Sequence, residues 1–343
     1  MKYAMCFLLS VTTLGLLSLT TQAHHSTSNF DSSQEITLRG TVTRVEWVNP
    51  HVYIYIDEQS SNGESVRWEI EGQPPAALRR LGWSRDMLSV GDSISVTGNP
   101  AKDSDVKKMN GQLIEKEEGT LYDETQALVK MAAAPTPRTG ASSLAGIWTT
   151  KLDLSNYYHF FFGAGEEELT DKGRVARAQY DENTMNPGLN CLSLDSPSLM
   201  LMADTKKITI AEDKIQISAD YDNGERTVHM NATSHEGASV SSQGHSIGYW
   251  EGDDLIIDTT HFSESITGNG KGVPSGSEKH LVERLILNED RQSLTYSFEL
   301  ADAEYIATPI TGSTTWFYQS DSNFVTEDCS LENARRYLEL EQQ

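Results

Sequence analysis

Runs of alternating apolar and polar residues, each closed by turn-forming residues, recur along almost the whole chain. This rhythm of two restricts the fold to β-structure more tightly than any other feature. In Ile36-Thr37-Leu38-Arg39-Gly40-Thr41-Val42 the apolar and polar positions alternate. Val52-Tyr53-Ile54-Tyr55-Ile56, Val66-Arg67-Trp68-Glu69-Ile70 and Ile94-Ser95-Val96-Thr97-Gly98 are rich in the β-branched and aromatic residues that suit a pleated surface. A second series spans 207–210, 214–219, 226–230, 244–250, 255–260, 281–287 and 294–300. Asp222-Asn223-Gly224 and Glu251-Gly252-Asp253-Asp254 punctuate it as turns. Two helices interrupt the strands. Residues 75–81 start with Pro75 and stop before Gly82, and residues 170–180 start with Thr170 as N-cap. The pattern predicts an all-β protein with few short helices: a small OB-like barrel, then a larger antiparallel lipocalin-like barrel.

The 343 residues suffice for two domains. Residues 1–23 read as a signal peptide, with Lys2, a leucine-rich core and a small-x-small end at Thr21-Gln22-Ala23. No apolar run is long enough to cross a bilayer as a helix. The chain is therefore expected in the periplasm or secreted, with an OB-like domain at 24–118, a linker at 119–143 and the larger barrel at 144–343. A net charge of -23 disfavours nucleic acid and anionic membrane surfaces as partners. Beyond Cys6 in the signal, Cys191 and Cys329 remain, an even pair that an oxidising compartment would join. Two free thiols or a thiolate metal site are the alternatives.

Cleavage after Ala23 would leave His24 at the N-terminus beside His25. An α-amine next to two imidazoles suits copper or another divalent transition metal, and His51, after Asn49-Pro50, is a candidate third ligand. His24-His25-Ser26, the strand at 38–42, the Asn49-Pro50-His51 turn and Arg80-Leu81-Gly82-Trp83-Ser84-Arg85-Asp86 together resemble a family of uncharacterised exported bacterial domains, over about residues 23–118. That resemblance implies a periplasmic small β-barrel and no activity.

In the second domain, Gly146-Ile147-Trp148 resembles the Gly-x-Trp that opens lipocalin-type barrels. The resemblance implies a late-strand arginine covering Trp148, a part Arg284 could take, and a small apolar molecule in the barrel mouth. Trp148, His245, Trp250 and Arg284 are the candidate ligand-binding residues. The densest polar cluster is Gly244-His245-Ser246-Ile247-Gly248-Tyr249-Trp250 with the hairpin returning through Asp258 to His261. A similar segment recurs in uncharacterised exported bacterial proteins. His245, Ile247 and Tyr249 share one strand face, and the hairpin returns Asp258 and His261 towards His245. These three are the candidate acid–base residues, or metal ligands, at one rim. The alternative is a hairpin with a merely solvated turn. The Gly-rich stretch at 263–279 reads as a long mobile loop, a possible lid.

The chain is thus expected to be a binding protein, with an N-terminal histidine metal site and a small apolar ligand in the second barrel. An enzyme using the His245, Asp258 and His261 rim, and a structural or adaptor protein, are the rivals.

Overall fold

The computed structural model describes residues 29–59, 63–133, 139–151, 168–320, 323–336 and 338. The chain is mostly β and builds two closed barrels, in agreement with the alternation in its sequence.

The first contains β1 (Ile36–Trp47), β2 (Val52–Gln59), β3 (Ser65–Glu71), β4 (Ser93–Pro100) and β5 (Lys108–Lys116). The strands pair in the order β3-β2-β1-β4-β5, and a parallel β3–β5 pairing closes the ring. This is the five-stranded arrangement expected of an OB-like barrel. Val42, Ile54, Ile56, Ile70, Val96 and Met109 fill it. Between β3 and β4 lies α1 (Pro75–Arg80), which begins at Pro75 and gives way to Gly82 at φ +93°.

Residues 119–132 are not a linker. They form β6 (Gly119–Asp123), paired with β5, and α2 (Glu124–Ala132), whose N-terminus is capped by the Asp123 side chain accepting from the Gln126 amide. The reason is apolar: Tyr122 is buried edge-on to Trp83 at 6.2 Å, and Ala127 packs into the same core. The proline-rich remainder, 134–138, lies outside the described residues.

The second barrel has nine strands: β7 (Gly146–Thr150), β8 (Thr205–Ile210), β9 (Lys214–Ala219), β10 (Glu225–His229), β11 (His245–Glu251), β12 (Asp254–Thr260), β13 (His280–Leu287), β14 (Ser293–Ala301) and β15 (Ile310–Tyr318). Neighbours run antiparallel except β10 and β11, which run parallel through Val228↔Ser246 and His229↔Ile247. The helix α3 (Asp171–Gln179) sits outside the strands with Thr170 as its cap.

The barrel interior holds packed side chains. Trp148, Tyr296, Trp316, Leu281 and Leu285 are fully buried. Among them lies a polar knot. Arg226 donates to Glu283 (Nη1···Oε1 2.7 Å), to Thr259 Oγ1 (2.7 Å) and to Ser246 Oγ (3.0 Å), and the Tyr296 hydroxyl donates to Glu283 at 2.8 Å. Burying such a pair is tolerable only when the lone pairs and protons of both groups find partners, as they do here.

The stretch at 263–279 is packed rather than a mobile lid. Asn269, Val273, Ser275 and Lys279 are each buried to 2 % exposure or less. Asp302 accepts from Asn269 Nδ2 at 2.7 Å and from the Gly276 amide at 2.8 Å, and Lys279 Nζ donates to the carbonyls of Ser196 (2.7 Å) and Gly268. The glycines let the backbone wrap these buried polar anchors, and the polarity that suggests a solvated loop is spent inside.

The two barrels meet along the segment after β15. Glu327 accepts from Arg79 (2.6 Å), Arg85 (2.6 Å) and the Trp47 indole (3.2 Å) of the first barrel. Its carbonyl accepts from Asn49 at 3.0 Å and from Asn223 of the second barrel at 2.8 Å. Cys329 is disulfide-bonded to Cys191 across 138 residues of sequence, so the expected pairing forms. A short helix, α4 (Leu331–Arg335), follows, and then Arg336 reaches back to Glu46 at 2.7 Å and lies over the Tyr53 ring. No helix among the described residues is long and apolar enough to cross a membrane.

Candidate metal centre

The outer faces of β11 to β13 carry the most concentrated chemistry of the molecule. In β11 and β12 the register sets Ile247 opposite Asp258 and His245 opposite Thr260. Ser246, Ile257 and Thr259 point into the barrel, so the alternating His245 and Asp258 point out. The hairpin therefore brings Asp258 and His261 beside His245.

Three further histidines, missed in the sequence reading, complete the cluster. His229 ends β10, and the parallel pairing with β11 stacks its ring on His245 with centroids 4.8 Å apart. That pairing obliges residues 230–244 to double back outside the ladder, and they bring His235 over the same patch. His235 Nδ1 lies 2.8 Å from His245 Nδ1, and its Nε2 lies 2.9 Å from Asp258 Oδ1. His280 heads β13 and sets its Nε2 3.0 Å from Asp258 Oδ2. Five of the nine histidines thus share one face. The available signal was density: all five fall between residues 229 and 280.

Local backbone supports the cluster. Gly244 has φ +68°, and a Cβ there would lie 2.7 Å from Thr259 Cγ2 and from the Thr260 carbonyl oxygen, so only glycine admits the turn into His245. His261 itself is left-handed at φ +58°, a costly conformation for a side-chain-bearing residue that turns its ring back over the strands. Its Nδ1 lies 2.9 Å from Thr260 Oγ1, and its ring stacks towards His235 at 6.0 Å. Burial and the neighbouring imidazoles of His229, His235 and His261 hold the His245 pKa below the usual histidine value, which favours the neutral ring that metals bind.

The carboxylate can only accept from the two Nε2 atoms that face it, so it fixes their protons there and leaves Nδ1 as the basic nitrogen of His235. This is the orienting arrangement found behind metal-binding imidazoles. Two nitrogens bound at about 2.0–2.1 Å to one ion sit roughly 3 Å apart, close to the 2.8 Å between His235 and His245. No three donors converge on one point among the described residues.

The other candidate residues fall elsewhere. His24 and His25 lie outside the described residues. His51 is half-buried at the head of β2, with Nδ1 2.9 Å from the Gly72 carbonyl and 3.6 Å from Glu71. Trp148 is buried in the barrel core, donates to the Leu144 carbonyl at 2.9 Å and packs on Tyr318. Arg284 does not cover it. Its alternation with buried Glu283 and Leu285 places it on the outer face, where it pairs with Asp254 at 2.7 Å and Glu251. In the second barrel Lys206 lies over a tryptophan, 5.1 Å from the centre of the Trp316 ring. Trp250 is 44 % exposed near the hairpin turn. Trp148, His245, Trp250 and Arg284 therefore do not line one space.

No curated protein matches the chain. Among solved structures it is similar to the ZRD-deleted mutant of TiaS in complex with agmatine, at 20% identity over 25% of this chain and 22% of that one, with a TM-score of 0.20. The match thus spans under a quarter of that chain's length. Residues 13–110, covering most of the first barrel, match the model of a family of unknown function, DUF6152, which agrees with the resemblance to uncharacterised domains carried by the motifs of that region.

Proposed function

We propose that this chain is an exported metal-binding protein whose main site is the histidine cluster on the outer face of the second barrel. One observation carries the reading: His235 and His245 bring two imidazole nitrogens within 2.8 Å, with Asp258 behind His235. His261 would supply the third nitrogen. An all-imidazole set with a carboxylate behind it suits copper(II), zinc or nickel(II) better than calcium or magnesium. The disulfide supports a place outside the cytoplasm, in the periplasm or beyond. An amine–imidazole site at His24 and His25, with His51 as a third donor, would be a second and independent metal position.

Calorimetric titration of metal-free protein with copper(II) and with zinc tests the reading. Wild type is expected to bind, and His235→Ala/His245→Ala to lose the tight site while His24→Ala/His25→Ala keeps it. Binding that survives the first pair and vanishes in the second would move the function to the N-terminus.

A second reading is favoured by the same line of groups. Asp258, His235 and His245 form a carboxylate–imidazole–imidazole chain able to pass a proton, as an acid–base enzyme would need. Metal-independent turnover abolished by His245→Ala would support it.

A further inference from the structure

The junction of the barrels encloses a cleft of about 550 Å³, and its floor, walls and rim come from both barrels and from the segment that clasps them. Its lining charge runs against that of the molecule. The chain carries a net -23, yet the cleft gathers Arg79, Arg80 and Lys130 against the single carboxylate of Asp220.

The arginines differ in how their charge is answered. Arg79 is engaged with Glu327 at 2.6 Å and stands 3.9 Å from Asp220. Arg80 projects from α1 into the second barrel, where its guanidinium donates to the carbonyls of Ala203 and Thr150, the latter at 2.9 Å. Those partners are neutral dipoles. Asp204 and Asp220 act on Arg80 at longer range, and desolvation opposes its charge. Lys130 stands exposed on α2. Leu81, Trp83 and Val325 add apolar surface to the lining beside the cations, and the Val325 carbonyl accepts from Arg79 at 2.9 Å.

We infer that this cleft is a binding site for a small amphiphilic anion, its acid group held among Arg79, Arg80 and Lys130 and its apolar part laid against Trp83 and Leu81. The site is independent of the histidine cluster. A cation of the same size would meet two guanidiniums and an ammonium, so the charge of the ligand is the discriminating property.

The test is calorimetric titration of the full chain with octanoate, and with octyltrimethylammonium as the cation of similar apolar length. Two exposed positions carry the variants, so that folding is preserved: Lys130→Glu reverses one lining charge, and Ala133→Trp plugs the rim. Melting temperatures measured alongside confirm that both variants fold as wild type. Wild type is expected to bind one octanoate per chain. Lys130→Glu should weaken binding about tenfold, and Ala133→Trp should abolish it. Absence of octanoate binding, equal binding by the cation, or binding unchanged in both variants would each overturn the proposal.

Discussion

Asp258 accepts from two histidines at once, from His235 Nε2 at 2.9 Å on one carboxylate oxygen and from His280 Nε2 at 3.0 Å on the other. A carboxylate so placed sets which nitrogen of each ring carries the proton. In Asp258→Asn the amide offers a donor where an acceptor stood, and the His235 ring loses its fixed tautomer. We expect metal affinity to fall by about 10- to 100-fold with little change in melting temperature, because Asp258 is partly exposed. Titration of the variant with zinc measures it. An affinity equal to wild type would remove Asp258 from the site.

The Arg226–Glu283 pair should show the asymmetry of buried charges. Removing one partner, as in Glu283→Gln or Arg226→Met, leaves the other charge in the barrel and is expected to cost about 3–5 kcal/mol. Replacing both with apolar residues should cost less than either single change. Urea unfolding of the three variants gives the comparison, and a double variant as unstable as the sum of the singles would contradict it.

Lys279 predicts a pH dependence. Burial lowers its pKa from the ordinary lysine value to about 8. Between about 8 and 10.5 the unfolded chain then holds more protons than the native one, so this group makes stability rise with pH across that window. Below it the full cost of burying the ammonium is present. In Lys279→Met the contribution disappears. The difference in slope between wild type and variant should approach about 1.4 kcal/mol per pH unit near the middle of the window. Denaturant unfolding at pH 8, 9 and 10 measures it, and parallel slopes would refute it.

The disulfide closes a loop of 138 residues. In the chain-entropy model, Cys191→Ser/Cys329→Ser should lose about 4–5 kcal/mol. Because Cys329 lies two residues beyond Glu327, the same variant should also loosen the contact of the barrels. Glu327→Ala with the disulfide intact separates the two effects. It should increase proteolysis between the barrels while each barrel keeps its own unfolding midpoint.

The barrels were legible because alternation reports directly on which face a strand buries. Leu38 and Val42 stand at the apolar positions of an alternating run and are inward in the structure, as are Leu281, Glu283 and Leu285 in the strand read at 281–287. Glu283 shows the limit: its place on the inner face is written in the period of two, but its partner Arg226, 57 residues earlier, is not. The same limit hid half of the histidine cluster. His245, Asp258 and His261 lie on one hairpin, and local pairing was enough to bring them together. His235 arrives on a connection whose path follows from the parallel β10–β11 pair, a long-range choice that no local pattern announces. Arg284 was misplaced for a related reason. A family-like role was assigned to it by type, when its parity beside Glu283 already placed it on the opposite face.

Cys191 and Cys329 have eight strands between them, β8 to β15. The covalent bond at the junction can therefore form only after nearly all of the second barrel has been synthesised. Once formed, it encircles that barrel: the segment before β8 and the segment after β15 become one continuous loop, and all eight strands between them are held inside a single covalent ring.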